Sequence, residues 1–114
     1  MVDPKQLVTV AFDQATAADH TVWTPPSGTR WVLYYLRLTA QGAVNAYLKS
    51  GTTVVSGTQT WDFTGAGTIN EQNGGFPVAV GRATGEAFVI TLDGAVAVDG
   101  FATLGAEAGA SPTV

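Results

Sequence analysis

Residues 30–39 read RWVLYYLRLT, and this stretch decides the fold. One alternation carries Val32, Tyr34, Leu36 and Leu38, and the other carries Trp31, Leu33, Tyr35 and Arg37. Successive side chains of a strand point to opposite faces, so this strand is apolar on both. Such a strand is either central in its sheet or covered by a second subunit.

Similar runs recur on both sides of it at intervals of about eight to twelve residues, the spacing of an all-β sandwich or barrel. Upstream, Leu7 to Asp13 (LVTVAFD) and His20 to Trp23 (HTVW) read as strands, with a polar turn at Gln14 to Asp19 between them. Thr24 to Thr29 (TPPSGT) is a turn, because its prolines cannot donate to a ladder and Ser27-Gly28 supplies permissive backbone. Downstream, Ala43 to Lys49 (AVNAYLK) sets Val44, Ala46 and Leu48 against Ala43, Asn45, Tyr47 and Lys49. Ser50-Gly51 then turns into Thr52 to Ser56, and Gln59 to Thr64 (QTWDFT) follows. Gly65 to Gly75 is the longest loop, with at most a brief strand at Thr68 to Asn70. Phe76 to Val80 reads as a flat strand. Glu86 to Leu92 (EAFVITL), the turn Asp93-Gly94, and Ala95 to Leu104 (AVAVDGFATL) complete about eight antiparallel strands, with a bulge or bend at Asp99-Gly100. No stretch has the apolar spacing of an amphipathic helix. Residues 1–6 and 105–114 are small and polar, and are expected as flexible arms that order against a neighbour.

Composition narrows the class. At 114 residues the chain is expected to be one domain, 1–114, burying roughly two thirds of its unfolded surface without disulfides or metals. It has no Cys, which removes disulfides, thiolate zinc sites and cysteine nucleophiles. A net charge of −4 lacks the basic footprint of a nucleic-acid binder or of a protein held on an anionic membrane. The start MVDPKQ has no signal-peptide pattern, and no apolar run approaches the roughly 20 residues that span a bilayer. The expectation is a protein made in a cytoplasm. Only 12 % of residues are charged, about half the usual figure of roughly 25 %. Free monomers blunt their sheet edges with lysine and other charges, and here Lys5 and Lys49 are the only lysines. Edges or faces are therefore expected to be covered by copies of the chain or by another protein.

No reaction signature accompanies this scaffold. His20 follows Asp19, but neighbours in a strand point to opposite faces, which separates a base from its carboxylate. Ser27, Ser50, Ser56 and Ser111 lie in turns or the tail, without the elbow or the partners of a nucleophile. Asp62, Glu71, Asp93 and Asp99 are possible oxygen ligands for calcium, yet they lack the spaced ladder of a calcium loop, and turn chemistry accounts for Asp93-Gly94 and Asp99-Gly100. Gly65, Gly67, Gly74 and Gly75 form no phosphate cradle. No catalytic, cofactor-binding or metal residue is assigned. The aromatics carry more information, because exposed rings anchor interfaces or stack on sugars. Tyr34 and Trp61 are expected inside. Trp31, Tyr35 and Tyr47, with Leu7 and Val8 on the first strand, are the expected interface residues.

The segment Ala17 to Arg37 (AADHTVWTPPSGTRWVLYYLR) resembles the opening of small all-β virion proteins of tailed bacteriophages. There, a Thr-Val-Trp-Thr-Pro phrase and a Ser-Gly turn lead into a long apolar strand. A hairpin like Leu48 to Gly51 and a late strand like Ala95 to Gly100 follow. The resemblance implies a jelly-roll-type sandwich on the exterior of a virus capsid. It implies a non-enzymatic decoration, or cement, protein that clamps the major capsid protein as a homo-oligomer, a trimer in preference to a dimer. The alternative is a receptor-binding or carbohydrate-binding module of a tail tip or fibre. Neither reading needs a cofactor, nucleic acid or a membrane.

Overall fold

The computed structural model describes residues 7–54 and 61–108. In chain order the strands are β1 (Val8–Gln14), β2 (Asp19–Trp23), β3 (Thr29–Ala40), β4 (Val44–Ser50), β5 (Thr53–Val54), β6 (Trp61–Phe63), β7 (Gly67–Gln72), β8 (Ala79–Val80), β9 (Phe88–Leu92) and β10 (Val98–Ala108). All pair antiparallel. The first sheet runs β1-β10-β3, with β7 and β8 sharing the far edge of β3; the second runs β2-β9-β4, with β5 and β6 sharing the far edge of β4. Ten segments thus fill eight strand positions, four per sheet. Successive strands alternate between the sheets through β4, a jelly-roll-like order in a sandwich.

The inner faces meet in one core that includes Trp31, Leu36, Leu38 and Leu104 from the first sheet and Leu48, Phe88, Ile90 and Leu92 from the second. Trp31 packs edge-on against Phe88, ring centroids 4.8 Å apart, joining the sheets at one end. On β4 the expected alternation holds, with Val44, Ala46 and Leu48 buried.

On β3 strict alternation fails. Thr103 and Leu104 are consecutive on β10 but face Tyr35 and Leu33, so Tyr34 is an extra residue, a β-bulge. The bulge reverses the phase of the strand. Trp31 and Leu33 point inward before it, Leu36 and Leu38 after it, and Arg37 stays outside. Tyr34, expected inside, is only half-buried, and burial together with the nearby Glu107 carboxylate raises its phenol pKa.

Three further expectations are corrected. Residues 67–72, read as loop with at most a brief strand at Thr68 to Asn70, form the full strand β7 paired with β3 from Tyr35 to Ala40. The flat strand at 76–80 contracts to Ala79–Val80. Residues 105–108, assigned to a flexible tail, continue β10 opposite Thr29 to Val32. The arm at 1–6 and the rest of the tail, 109–114, lie outside the described residues.

Gly100 is not a bulge either, because its register with both neighbours is continuous. It marks a close approach of β10 to β3: a Cβ there would lie 1.8 Å from the carbonyl oxygen of Arg37. Only glycine fits.

Candidate functional site

The outer face of the first sheet is the surface on which this fold collects unusual side chains. Cross-strand pairing sets them in rows. Thr9, Thr103, Tyr35 and Gln72 form one row; Ala11, Phe101, Arg37 and Asn70 form the next; Asp13, Asp99, Thr39 and Thr68 form the third. Side chains directly opposite on one face lie close enough to interact. Tyr35 tilts against Phe101 at a centroid distance of 5.4 Å and donates its hydroxyl hydrogen to Asn70 Oδ1 at 2.8 Å. Thr9 with Thr103, and Thr39 with Thr68, hydrogen-bond across the strands. Beside Gly100 the face dips into an open depression of about 400 Å³ lined by Phe12, Asp13, Arg37, Thr39, Asp99 and Phe101. Arg37 has no ion pair among the described residues, and Asp13 faces Asp99 across the strands, both exposed. The face offers a half-buried aromatic pair, one open cation and two carboxylates.

Beyond this face, Val32 is buried on the outside of the same sheet. It pairs with Gly105, and the Arg30–Glu107 ion pair (3.0 Å) stands on the next pair of residues.

The interface residues expected from sequence are scattered. Trp31 is corrected: it is fully buried in the core, because the bulge at Tyr34 turns it inward. Its indole Nε1 has no hydrogen-bond partner, and a Cβ on Gly81 would come within 3.0 Å of the ring. Tyr35 is on the outer face just described. Tyr47 is half-buried on the outer face of the other sheet, beside Thr91. Leu7 is 38 % exposed, and Val8 packs its inner side against the core. The structure therefore joins Tyr35 to Phe101 and Arg37, and it leaves Tyr47 on the opposite side of the sandwich. Phe101 was missed, although its place two residues after Asp99 in an alternating strand was a readable signal.

Asp19 and His20 are turned apart, as the alternation requires. Asp19 Oδ1 accepts from Thr91 Oγ1 at 2.7 Å and from Lys49 Nζ at 2.9 Å, and these bonds hold its carboxyl below the usual range. His20 Nε2 meets the Thr16 carbonyl at 2.9 Å, and its ring stands edge-on to Phe12. Asp93 clamps Asn45, taking its main-chain and side-chain N–H at 2.8 and 2.9 Å. Of the other calcium candidates, Glu71 lies on β7 and Asp99 on β10, while the Asp62 side chain lies outside the description, as does that of Trp61. Among the described residues, no group of three or more His, Asp or Glu is placed to hold a metal ion. No described helix is long and apolar enough to cross a membrane.

Together the fold and this surface define an all-β sandwich with one open face that carries an aromatic pair and an exposed arginine. Comparison with protein-family models, with curated proteins and with solved structures finds no match.

Proposed function

We propose that this chain is a non-enzymatic structural protein of a phage virion, a capsid decoration protein that binds the major capsid protein lattice as a homo-oligomer and stabilises it. The observation that carries the reading is the outer face of the first sheet, where Tyr35, Phe101 and the open Arg37 stand beside strand β1, whose one charge is Asp13. Aromatic and arginine side chains are the groups on which protein interfaces concentrate their binding energy. The similarity of residues 17–37 to phage virion proteins supplies the partner. Binding only to the assembled lattice stabilises it by mass action.

The test is the copy number of this protein per particle, measured by quantitative mass spectrometry against the major capsid protein. A ratio near unity supports decoration of the lattice. A small fraction overturns it in favour of a tail-tip or fibre module, for which Tyr47 on the second sheet is the aromatic to mutate first.

A further inference from the structure

Among the described residues the sandwich has four sheet edges, and two of them carry features that blunt them. The β7–β8 edge is broken between its two strands by Gly74 and Gly75, both at positive φ, and by Pro77. The β5–β6 edge is described only at Thr53–Val54 and Trp61–Phe63. The β2 edge has five residues, a register shift that leaves Val22 as an extra residue, and Pro25-Pro26 just beyond its end. Short strands, bulges and prolines are the devices that stop sheets from adding strands.

β1 has none of these. It runs seven residues in unbroken register with β10, from Val8 opposite Leu104 to Gln14 opposite Val98. It contains no Lys, Arg or Pro, and Asp13 is its one charge. Among the described residues no strand pairs with its other side. Val8 and Val10 are half-exposed although they belong to the inner face.

We infer that β1 is a self-pairing edge: it adds antiparallel to β1 of a second copy across a two-fold axis through Val10, making one continuous eight-stranded sheet from two first sheets. The register follows from the faces. Opposite residues must share a face, so the dyad passes through a residue and not between two. An axis at Val10 sets Val8 opposite the partner's Phe12, an apolar pair of the kind that stabilises sheets, and Thr9 opposite the partner's Ala11. It also covers the open sides of Val8 and Val10. Charge permits a second copy here despite the net −4 of the chain. Residues 7–12 are uncharged, and the two Asp13 carboxylates would stand about 20 Å apart along the strands, well beyond the screening length of about 8 Å. The pairing rests on the homo-oligomer part of the proposed function and not on its capsid part. It commits to a dimer where the resemblance favoured a trimer.

Sedimentation of the full chain at micromolar concentration is expected to give twice the 11.7 kDa chain mass. Ala11→Lys, which sets two ammonium groups beside the axis, is expected to give the monomer mass with an unchanged β-sheet circular-dichroism spectrum, melting somewhat lower because the stabilisation by pairing is lost. Thr21→Lys, on the blunted β2 edge, is expected to stay dimeric. Because the chain has no cysteine, Val10→Cys provides a clean second readout: oxidation should link two chains, whereas Thr21→Cys should not link. A monomeric wild type overturns the inference, as does a trimer, a dimer indifferent to Ala11→Lys, or a dimer that Val10→Cys does not link. Particle copy number is independent of all these, so a β1 dimer found at a small fraction of the capsid copy number would sink the decoration reading alone.

Discussion

β1 and β2 are consecutive strands, each at the edge of its own sheet, and they treat that position in opposite ways. β2 is short and bulged at Val22. Its first residue, Asp19, is tied across the sheet to Thr91 and Lys49. β1 is longer and regular, and it presents only Val, Thr, Ala and Phe before Asp13. The two edges share a core, since Val8, Val10 and Phe12 of β1 and Val22 and Trp23 of β2 all pack against it. What differs is the free side of the backbone, where β2 is closed to strand addition and β1 is open. In a chain with so few charges, protection has been placed edge by edge, and its absence at one edge is informative.

Substitutions can break or sharpen this contrast. The largest effect is expected from Trp31→Ala, which empties a fully buried site and should cost about 3–5 kcal/mol in chemical denaturation. Because that core backs both edges, amide exchange should quicken in β1 and β2 alike; a response confined to one of them would mean that the sheets do not share a core. Gly100→Val comes next, at about 3 kcal/mol, since the new side chain collides with the Arg37 carbonyl and must push β10 from β3. Exchange should then quicken in β1 and β10 while β2 stays protected, and equal loosening of both edges would remove the distinction between the two sheets.

Ser50→Ala should cost about 1–2 kcal/mol. The fully buried hydroxyl accepts the Arg82 main-chain N–H at 2.9 Å and donates to Glu86 at 2.8 Å, while Glu86 is also paired with Arg82. This network fastens residues 81–87 to β4, so the loss should appear in the second sheet and leave a β1 dimer intact. The smallest effect is expected for Asp19→Asn, a few tenths of a kcal/mol, because the Asp19 carboxylate is exposed and screened. Its pKa is lowered in the fold, so the carboxylate contributes stability above the ordinary aspartate value of about 3.9 and loses it as pH falls through the folded value. Melting curves of wild type and Asp19→Asn should therefore converge at acid pH. A difference that persists there would assign the role of Asp19 to geometry instead of charge.

Much of this architecture was legible in the chain. Val44, Ala46 and Leu48 alternate with polar neighbours and are buried where period two places them. Asp19 and His20 point apart for the same reason. The candidate site was legible only in part. Tyr35 was found, but Trp31 was assigned to the surface because a single phase was carried along β3 through Tyr34, where the strand gains a residue against β10. Nothing local in Leu33-Tyr34-Tyr35 distinguishes a bulge from regular strand. Of β7 only a brief strand at Thr68 to Asn70 was legible, because Gly67 to Gln72 (GTINEQ) has Ile69 as its one apolar side chain, and its full length comes from pairing with β3.

Residue order alone was enough to specify an all-β chain of short strands with few charges, because side-chain period and backbone-restricting residues are local properties. The phase of β3, the burial of Trp31, the meeting of Tyr35 with Phe101, and the exposure of β1 as a regular edge were set by the tertiary structure. Each of these depends on which strands lie side by side and in what register. That choice is made by burial and pairing between residues distant in the chain, as with Leu33 and Leu104.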